Sequence, residues 1–217
     1  MSFLTDNRYL SDMPPGRLLD VGCGTGAYVA WMAREGWDAH GIDFDADAVA
    51  TARRYPGVDA RVGDLASQKY PDDHFDAVVL SNVIEHLLDP QGVFDECRRI
   101  LAPGGRLVMI TPNVDALGHK LFGPDWRGLE PPRHLFLFPG DVLEKMGRKA
   151  GFKKVDVFSS PGSRSAAEYV LDQSTKVAQA NGRAAPRVSA GQIALQERAL
   201  DLLGLKRGEW VVLVATK

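Results

Sequence analysis

Three acids, Asp20, Asp43 and Asp64, stand at or just past the ends of stretches that read as short strands, and the first is followed by glycines at alternate positions, Gly22, Gly24 and Gly26. Glycines so spaced allow positive φ and let a ligand approach the backbone closely, as in a strand-to-helix loop that cradles a nucleotide-like molecule. The same spacing also serves tight turns that bind nothing. Asp43 lies about twenty residues beyond the first glycine, the distance at which an acid reaches the hydroxyls of a ribose lying across such a loop. Asp45 already stands where the following helix needs its cap, which leaves Asp43 for a ligand. Asp64 could accept a hydrogen bond from an adenine amino group, or simply face water.

A second set of reactive side chains falls in 112–138, an irregular stretch of about 27 residues, long enough to suggest a functional loop or lid. It holds Trp126, Arg127, Glu130, Arg133, His134, Phe136 and Phe138. Aromatics beside arginine and histidine suit a substrate pocket, and equally a small satellite core with a charged rim. His134, with an ordinary pKa near ~6.5, is the first candidate for a general base, against a role in anchoring the loop, and His86 is the second. Thr111, Asn113, Trp126 and Arg133 are candidate substrate contacts; His40, His74 and His119 carry weaker claims. Cys23 and Cys97 stand apart, with no Cys-x-x-Cys pair and no clustered histidines, so neither a disulfide framework, a zinc site nor any other metal is expected.

These residues need a scaffold. Leu18, Leu19 and Val21 read as a buried strand, residues 27–35 as a helix stopped by Gly36, and residues 38–43 as a second strand. A helix over 46–54 and a strand over 58–62 follow; residues 75–80 are almost continuously apolar, as in the centre of a parallel sheet covered on both faces. Asp89-Pro90 opens a helix whose Val93, Phe94, Cys97, Ile100 and Leu101 share a face. Pro103-Gly104-Gly105 turns into a fifth strand over 106–111. A helix over 141–149 and a strand over 152–158 come next, then helical stretches at 164–180 and 191–203 joined by a flexible connection over 181–186. Residues 209–216 form a last, strongly β-prone strand expected to insert beside the sixth. The repeated strand-helix units predict a three-layer, doubly wound α/β sheet with right-handed crossovers.

Composition agrees with one domain over 1–217: 45% of the 217 residues are apolar, 25% are charged, and the net charge is −2. With both signs scattered there is no basic surface for nucleic acid. No run approaches the roughly 18 apolar residues that a membrane span needs, so no stable membrane insertion is expected and the location is taken as cytoplasmic.

Taken together, 19–26, Gly41-Ile42-Asp43, Gly63-Asp64, 75–87 and 101–105 closely resemble class I S-adenosylmethionine-dependent methyltransferases. The resemblance implies a Rossmann-like, seven-stranded sheet in order 3-2-1-4-5-7-6 with the last strand antiparallel. It implies that Gly22, Cys23, Gly24 and Gly26 wrap the methionine part of the cofactor and that Asp43, with Phe44 beside it, holds the ribose. Asp64 and Leu65 would meet adenine, and Ser81 and Asn82 would lie near the amino-acid end. Asp20 favours this cofactor over a dinucleotide, because an anion beside the loop suits an ammonium and repels a pyrophosphate. Thr111-Pro112-Asn113 and 126–138 look like a bacterial subgroup of small-molecule methyltransferases whose core resembles the benzoquinol methylases.

The reaction so implied is an in-line displacement in which a small-molecule oxygen, nitrogen or carbon takes the methyl group of the sulfonium and S-adenosylhomocysteine leaves. The core would span about 17–111, with lid and substrate elements at about 112–138 and 161–208. An NAD(P)-dependent oxidoreductase and a non-catalytic cofactor-binding module are the alternatives.

Overall fold

The computed structural model describes residues 9–160 and 164–217; the rest of the amino-terminal stretch, and residues 161–163 of the expected lid, lie outside the described residues. The chain alternates β1 (Arg17–Val21), α1 (Ala27–Arg34), β2 (Asp38–Asp43), α2 (Ala46–Ala52), β3 (Asp59–Val62), β4 (Phe75–Ser81), α3 (Pro90–Ile100) and β5 (Leu101–Pro112). After α4 (Leu117–Phe122) come α5 (Gly140–Lys149), β6 (Lys154–Ser160), α6 (Arg164–Ala180), α7 (Ala190–Leu202) and β7 (Trp210–Thr216). The seven strands run in the order β3-β2-β1-β4-β5-β7-β6, as expected. β7 pairs antiparallel with both β5 and β6, while the pairs from β3 to β5 are parallel.

Side-chain alternation along the central strands builds two cores from one sheet. Leu18, Ala77 and Val79 point to the face covered by α1 and α2, where they meet Val29, Met32, Val49 and Ala52. Leu19, Val78 and Leu80 point the other way, onto Phe94, Cys97 and Ile100 of α3 and Leu143 of α5. Each fully buried Val, Leu or Ile contributes about 1.5–3 kcal/mol, so the near-continuous apolar strands are what hold the loops at their carboxyl ends in place. Local signals work with this burial. The Asp45 side chain accepts from the backbone of Asp47 and Ala48 at the start of α2, and Asp89 accepts from Gly92 with Pro90 in the first turn of α3.

The structure departs from the sequence reading in three places. β5 begins at Leu101, because Phe75 pairs with Leu101 before the register jumps to Ala77–Arg106; the expected turn survives as that irregularity, with Gly104 at φ +82°. The stretch 112–138 is not irregular throughout. It contains α4 and two 3-10 turns, Gly123–Asp125 and Arg127–Leu129. Helix propensity does not announce α4, which carries Gly118 and His119; its formation rests on tertiary contacts, with Phe122 buried and the Gly118 N–H donated to Glu209 Oε1 at 3.0 Å. Third, the 181–186 connection is tied down: Asn181 Nδ2 and Arg183 Nε donate to the Asp125 carboxylate at 2.8 and 2.6 Å. Among the described residues no helix is long and apolar enough to cross a membrane.

Candidate active site

The loop between β1 and α1 is drawn tight by its own backbone. The N–H groups of Gly22 and Cys23 both donate to Ile42 O, at 2.8 and 2.9 Å, and Gly26 N–H donates to Cys23 O at 3.0 Å. Gly22, Gly24 and Gly26 all take positive φ, which an L side chain adopts only with strain. A cavity of about 290 Å³ opens beside this loop at the carboxyl ends of β1 and β4. Asp20, Gly22, Cys23, Gly24, Ser81 and Asn82 line it, together with Thr25 and Tyr28 of the loop and first helix and Tyr9 and Leu10 of the amino-terminal segment.

The acids around the cavity differ in state. Asp20 is only 5% exposed, and burial, with Asp43 nearby, pushes its carboxyl up to about 8. Burial, reinforced by Asp20 and Asp43, pushes the Cys23 thiol up to about 12, so it sits here as a neutral wall. Asp43 holds the loop itself: Oδ2 accepts from Gly24 N–H at 2.8 Å and Oδ1 from Asp45 N–H at 2.9 Å. A carboxylate has about four lone-pair sites, so two remain for a diol. Asp43→Ala is expected to weaken cofactor binding tenfold or more in calorimetry, by losing the expected ribose contact together with the tether on Gly24; near-unchanged affinity removes Asp43 from the candidate site.

Across Asn82 lies a second cavity of about 280 Å³, lined by His86, Trp126, Arg127, Glu130, Arg133, His134, Tyr169, Glu209 and Trp210. Asn82 borders both cavities and itself takes φ +54°. The wall is built where 130–138 docks on the 3-10 turn Ile84–His86: Leu135 and Phe136 N–H both donate to Glu85 O, at 2.8 and 3.2 Å. His86 Nδ1 donates to Arg133 O at 2.8 Å and His134 Nδ1 to Gly128 O at 2.7 Å, since a carbonyl can only accept. The two imidazole rings stand 4.8 Å apart. Burial lowers His134 below its ordinary value, so the ring is neutral near pH 7 with Nε2 as its free lone pair.

Asp20, Gly22, Cys23, Gly24, Ser81 and Asn82 thus share one cavity, and Trp126, Arg133, His86 and His134 share the other. Gly26 shapes the loop from behind, with no side chain because Ala52 stands there. Asp43, exposed Phe44, exposed Asp64 and buried Leu65 lie at the ends of β2 and β3, off the first cavity wall, and the Asp64 carboxylate already accepts from Ser67 N–H at 2.7 Å. Two expected substrate contacts need correcting. Thr111 is fully buried and donates its hydroxyl to Glu85 Oε2 at 2.9 Å, so it positions an acid. Asn113 is buried too, and its side chain donates to Gly208 O at 2.8 Å and Lys206 O at 3.2 Å, pinning the chain ahead of β7. His119 stacks on Trp126 at 4.8 Å and donates to Val114 O, a structural role.

Tyr9, Leu10, Glu85 and Glu209 also belong to or support the two cavities and were not among the residues expected from the sequence. Glu85 and Glu209 are buried acids, at 0% and 3% exposure. Glu209 accepts from Trp126 Nε1 at 2.9 Å and fixes the indole in the cavity wall. The available signal was an acid set in an apolar run, Val83-Ile84-Glu85 and Glu209-Trp210-Val211. Tyr9 and Leu10 are held over the first cavity by Arg106, which donates to Tyr9 O at 2.7 Å and pairs with Asp12, a contact no local pattern reveals.

Comparisons with known proteins point to one family. A family model described as a methyltransferase domain matches residues 4–157. A probable S-adenosylmethionine-dependent methyltransferase of Mycolicibacterium smegmatis is 43% identical over 97 residues, 44% of this chain and 38% of that protein. The ubiquinone biosynthesis O-methyltransferase of Psychrobacter arcticus is 30% identical over 176 residues, covering 74% of this chain and 68% of the relative. In structure, a S-adenosylmethionine-dependent methyltransferase from Archaeoglobus fulgidus superposes with a TM-score of 0.68 at 19% identity, over 97% of this chain and 90% of the other. The matched segment spans 38% to 68% of the first two of these proteins' lengths. With a methyltransferase-domain model matched over most of the chain and the expected strand order present, the chain belongs to the class I S-adenosylmethionine-dependent methyltransferases, with a core like that of the benzoquinol methylases.

Proposed function

We propose that the chain is a cytoplasmic enzyme that moves the methyl group of S-adenosylmethionine to an oxygen, nitrogen or carbon atom of a small metabolite held in the second cavity. Residues 1–217 act as one methyltransferase domain, with the elements at about 112–138 and 161–208 closing over the substrate. The observation that carries the reading is the position of Asn82, on the wall of both cavities, where a sulfonium in one would face a nucleophile in the other. Holding both reactants in line, away from water, supplies several kcal/mol of the barrier. The name of the Psychrobacter relative, an O-methyltransferase, favours an oxygen acceptor. Trp126 and Arg133 would contact the acceptor.

For a hydroxyl acceptor, a base must take the proton as the O–C bond forms and the C–S bond breaks. The neutral His134 ring offers its Nε2 lone pair for this, with Glu130 Oε2 3.5 Å away, and His86 stands beside it. With the His134 pKa lowered, turnover is expected to rise with pH only through a value below ~6.5 and to be flat above it, because the neutral ring is the active form. His134→Ala should lower kcat by about 10²-fold or more and leave cofactor affinity nearly intact. Unchanged turnover assigns His134 to loop anchoring alone. The reading itself is tested by incubating the chain with cofactor carrying a labelled methyl group and a panel of small phenols, amines and acids. A labelled product supports it; cofactor binding without transfer to any of them leaves a binding module.

A further inference from the structure

We propose that Glu85, His86 and His134 form a binding site for one divalent transition-metal cation beside the second cavity, whose wall carries both histidines. One ligand atom from each of the three residues lies within 4.8 Å of the others, close enough to surround a single ion. Both imidazoles are pinned in the same way, each with Nδ1 donated to a backbone carbonyl, Arg133 O for His86 and Gly128 O for His134. That bond sets the tautomer and leaves Nε2 of each ring with a lone pair, which is the arrangement that orients a metal-ligating histidine. The third group is equally prepared. Glu85 is fully buried; Thr111 donates to its Oε2, while Oε1 has no hydrogen-bond partner at all. A buried carboxylate oxygen without a partner is costly, and a cation would satisfy it together with two lone pairs that otherwise face no donor.

Neighbouring charges set the limits of the site. Glu130 Oε2 stands 3.5 Å from His134 Nε2 but is already paired with Arg127, and Glu130 Oε1 is paired with Arg133, so Glu130 belongs outside the coordination shell. Two imidazoles and one carboxylate suit Zn²⁺, Fe²⁺ or Co²⁺ over Mg²⁺ or Ca²⁺, which prefer all-oxygen sets. Three protein ligands leave coordination positions open toward the cavity, so the acceptor class that fits is a molecule presenting a hydroxyl or a pair of adjacent oxygens. With the cation bound, His86 and His134 act as ligands. The acceptor O–H then loses its proton to solvent on coordination, and that oxygen takes the methyl group as the sulfur keeps the C–S electron pair. No sequence motif announces the site, because His86 and His134 come from different loops that meet only when 130–138 docks on the 84–86 turn.

This role for the bound oxygen rests on the proposed methyl transfer, whereas the site itself is measured without it. Purified chain, stripped with chelator, is titrated with Co²⁺, reading its visible absorption, and with Zn²⁺ and Mg²⁺ by calorimetry; S-adenosylhomocysteine binding is measured on every variant. The expected result is one equivalent of Co²⁺ or Zn²⁺ with nitrogen and oxygen ligation, at least 100-fold weaker binding of Mg²⁺, and at least 100-fold loss of Co²⁺ affinity in His86→Ala and in His134→Ala. Glu85→Gln, conservative in shape, should lower Co²⁺ affinity at least tenfold. All three variants should bind S-adenosylhomocysteine within about threefold of the parent chain. Absence of stoichiometric Co²⁺ binding, or binding that survives both histidine variants, overturns the metal site and leaves the methyltransferase reading standing; failure of the parent chain to bind S-adenosylhomocysteine counts against that reading alone.

Discussion

Asp20→Asn should raise the melting temperature of the cofactor-free protein and at the same time cost it at least thirtyfold in affinity for S-adenosylmethionine. In the folded chain, burial and Asp43 push the Asp20 carboxyl up to about 8, whereas in the unfolded chain it ionises near ~3.9. Between those values the folded state holds a proton that the unfolded state has released, so this group's contribution to stability declines as pH rises from about 4 to about 8. Asparagine has the same shape and no charge to lose. At pH 8 its gain should be at least ~1 kcal/mol, or roughly 2–4 °C in a chain of this length. Function runs the other way. A cofactor ammonium favours the ionised acid, and removing one partner of a buried charge pair costs about 2–5 kcal/mol, which is thirtyfold or more in affinity. Binding at pH 7 should therefore release close to one proton from the wild-type chain, read as a buffer-dependent calorimetric enthalpy, and none from the variant. A variant that is less stable, or that binds as tightly as the parent, would contradict the assignment of Asp20.

Two glycines in the same motif should fail differently when each becomes alanine. A Cβ on Gly26, at φ +81°, would sit 2.5 Å from Ala52 Cβ and 2.9 Å from Ala52 Cα, so α1 and α2 would have to separate. Backbone strain of about 1–2 kcal/mol and overpacking of about 1–3 kcal/mol add up to a loss near ~3 kcal/mol, visible as a fall of several degrees in Tm. A Cβ on Gly24, at φ +52°, meets no protein atom within 4 Å because it points into open space. Gly24→Ala should cost only the backbone strain of about 1–2 kcal/mol, yet lower cofactor affinity at least tenfold, since the added methyl stands where the ligand must approach. Equal effects of the two substitutions on stability and binding would mean that the loop does not face the cofactor as described.

Much of this was legible in the residues themselves. Leu18 and Leu19 feed opposite faces of one sheet, and that double burial makes a parallel strand readable as a continuous apolar run. The strand-end acids were legible because Asp45 caps α2, which sets Asp43 apart as more than a helix cap, although Asp43 also accepts from Asp45 N–H at 2.9 Å. What escaped depends on contacts across long separations. Thr111 reads as a pocket residue until Glu85, twenty-six positions earlier, is found accepting its hydroxyl. Asn113 reads as a polar loop residue until its amide is seen bonded to Gly208, ninety-five positions on. Glu85 and Glu209 each stand in an apolar run, but their partners come from far along the chain: 130–138 docks on the Glu85 carbonyl, and α4 and Trp126 meet the Glu209 carboxylate, which borders the second cavity.

The most direct test of the whole account is calorimetric titration of the folded chain with S-adenosylmethionine and with S-adenosylhomocysteine, set beside Asp20→Asn. One saturable site is expected for each ligand, with proton release at pH 7, whereas Asp20→Asn should bind S-adenosylmethionine at least thirtyfold more weakly and release no proton. A well-folded chain that binds neither ligand would contradict the account.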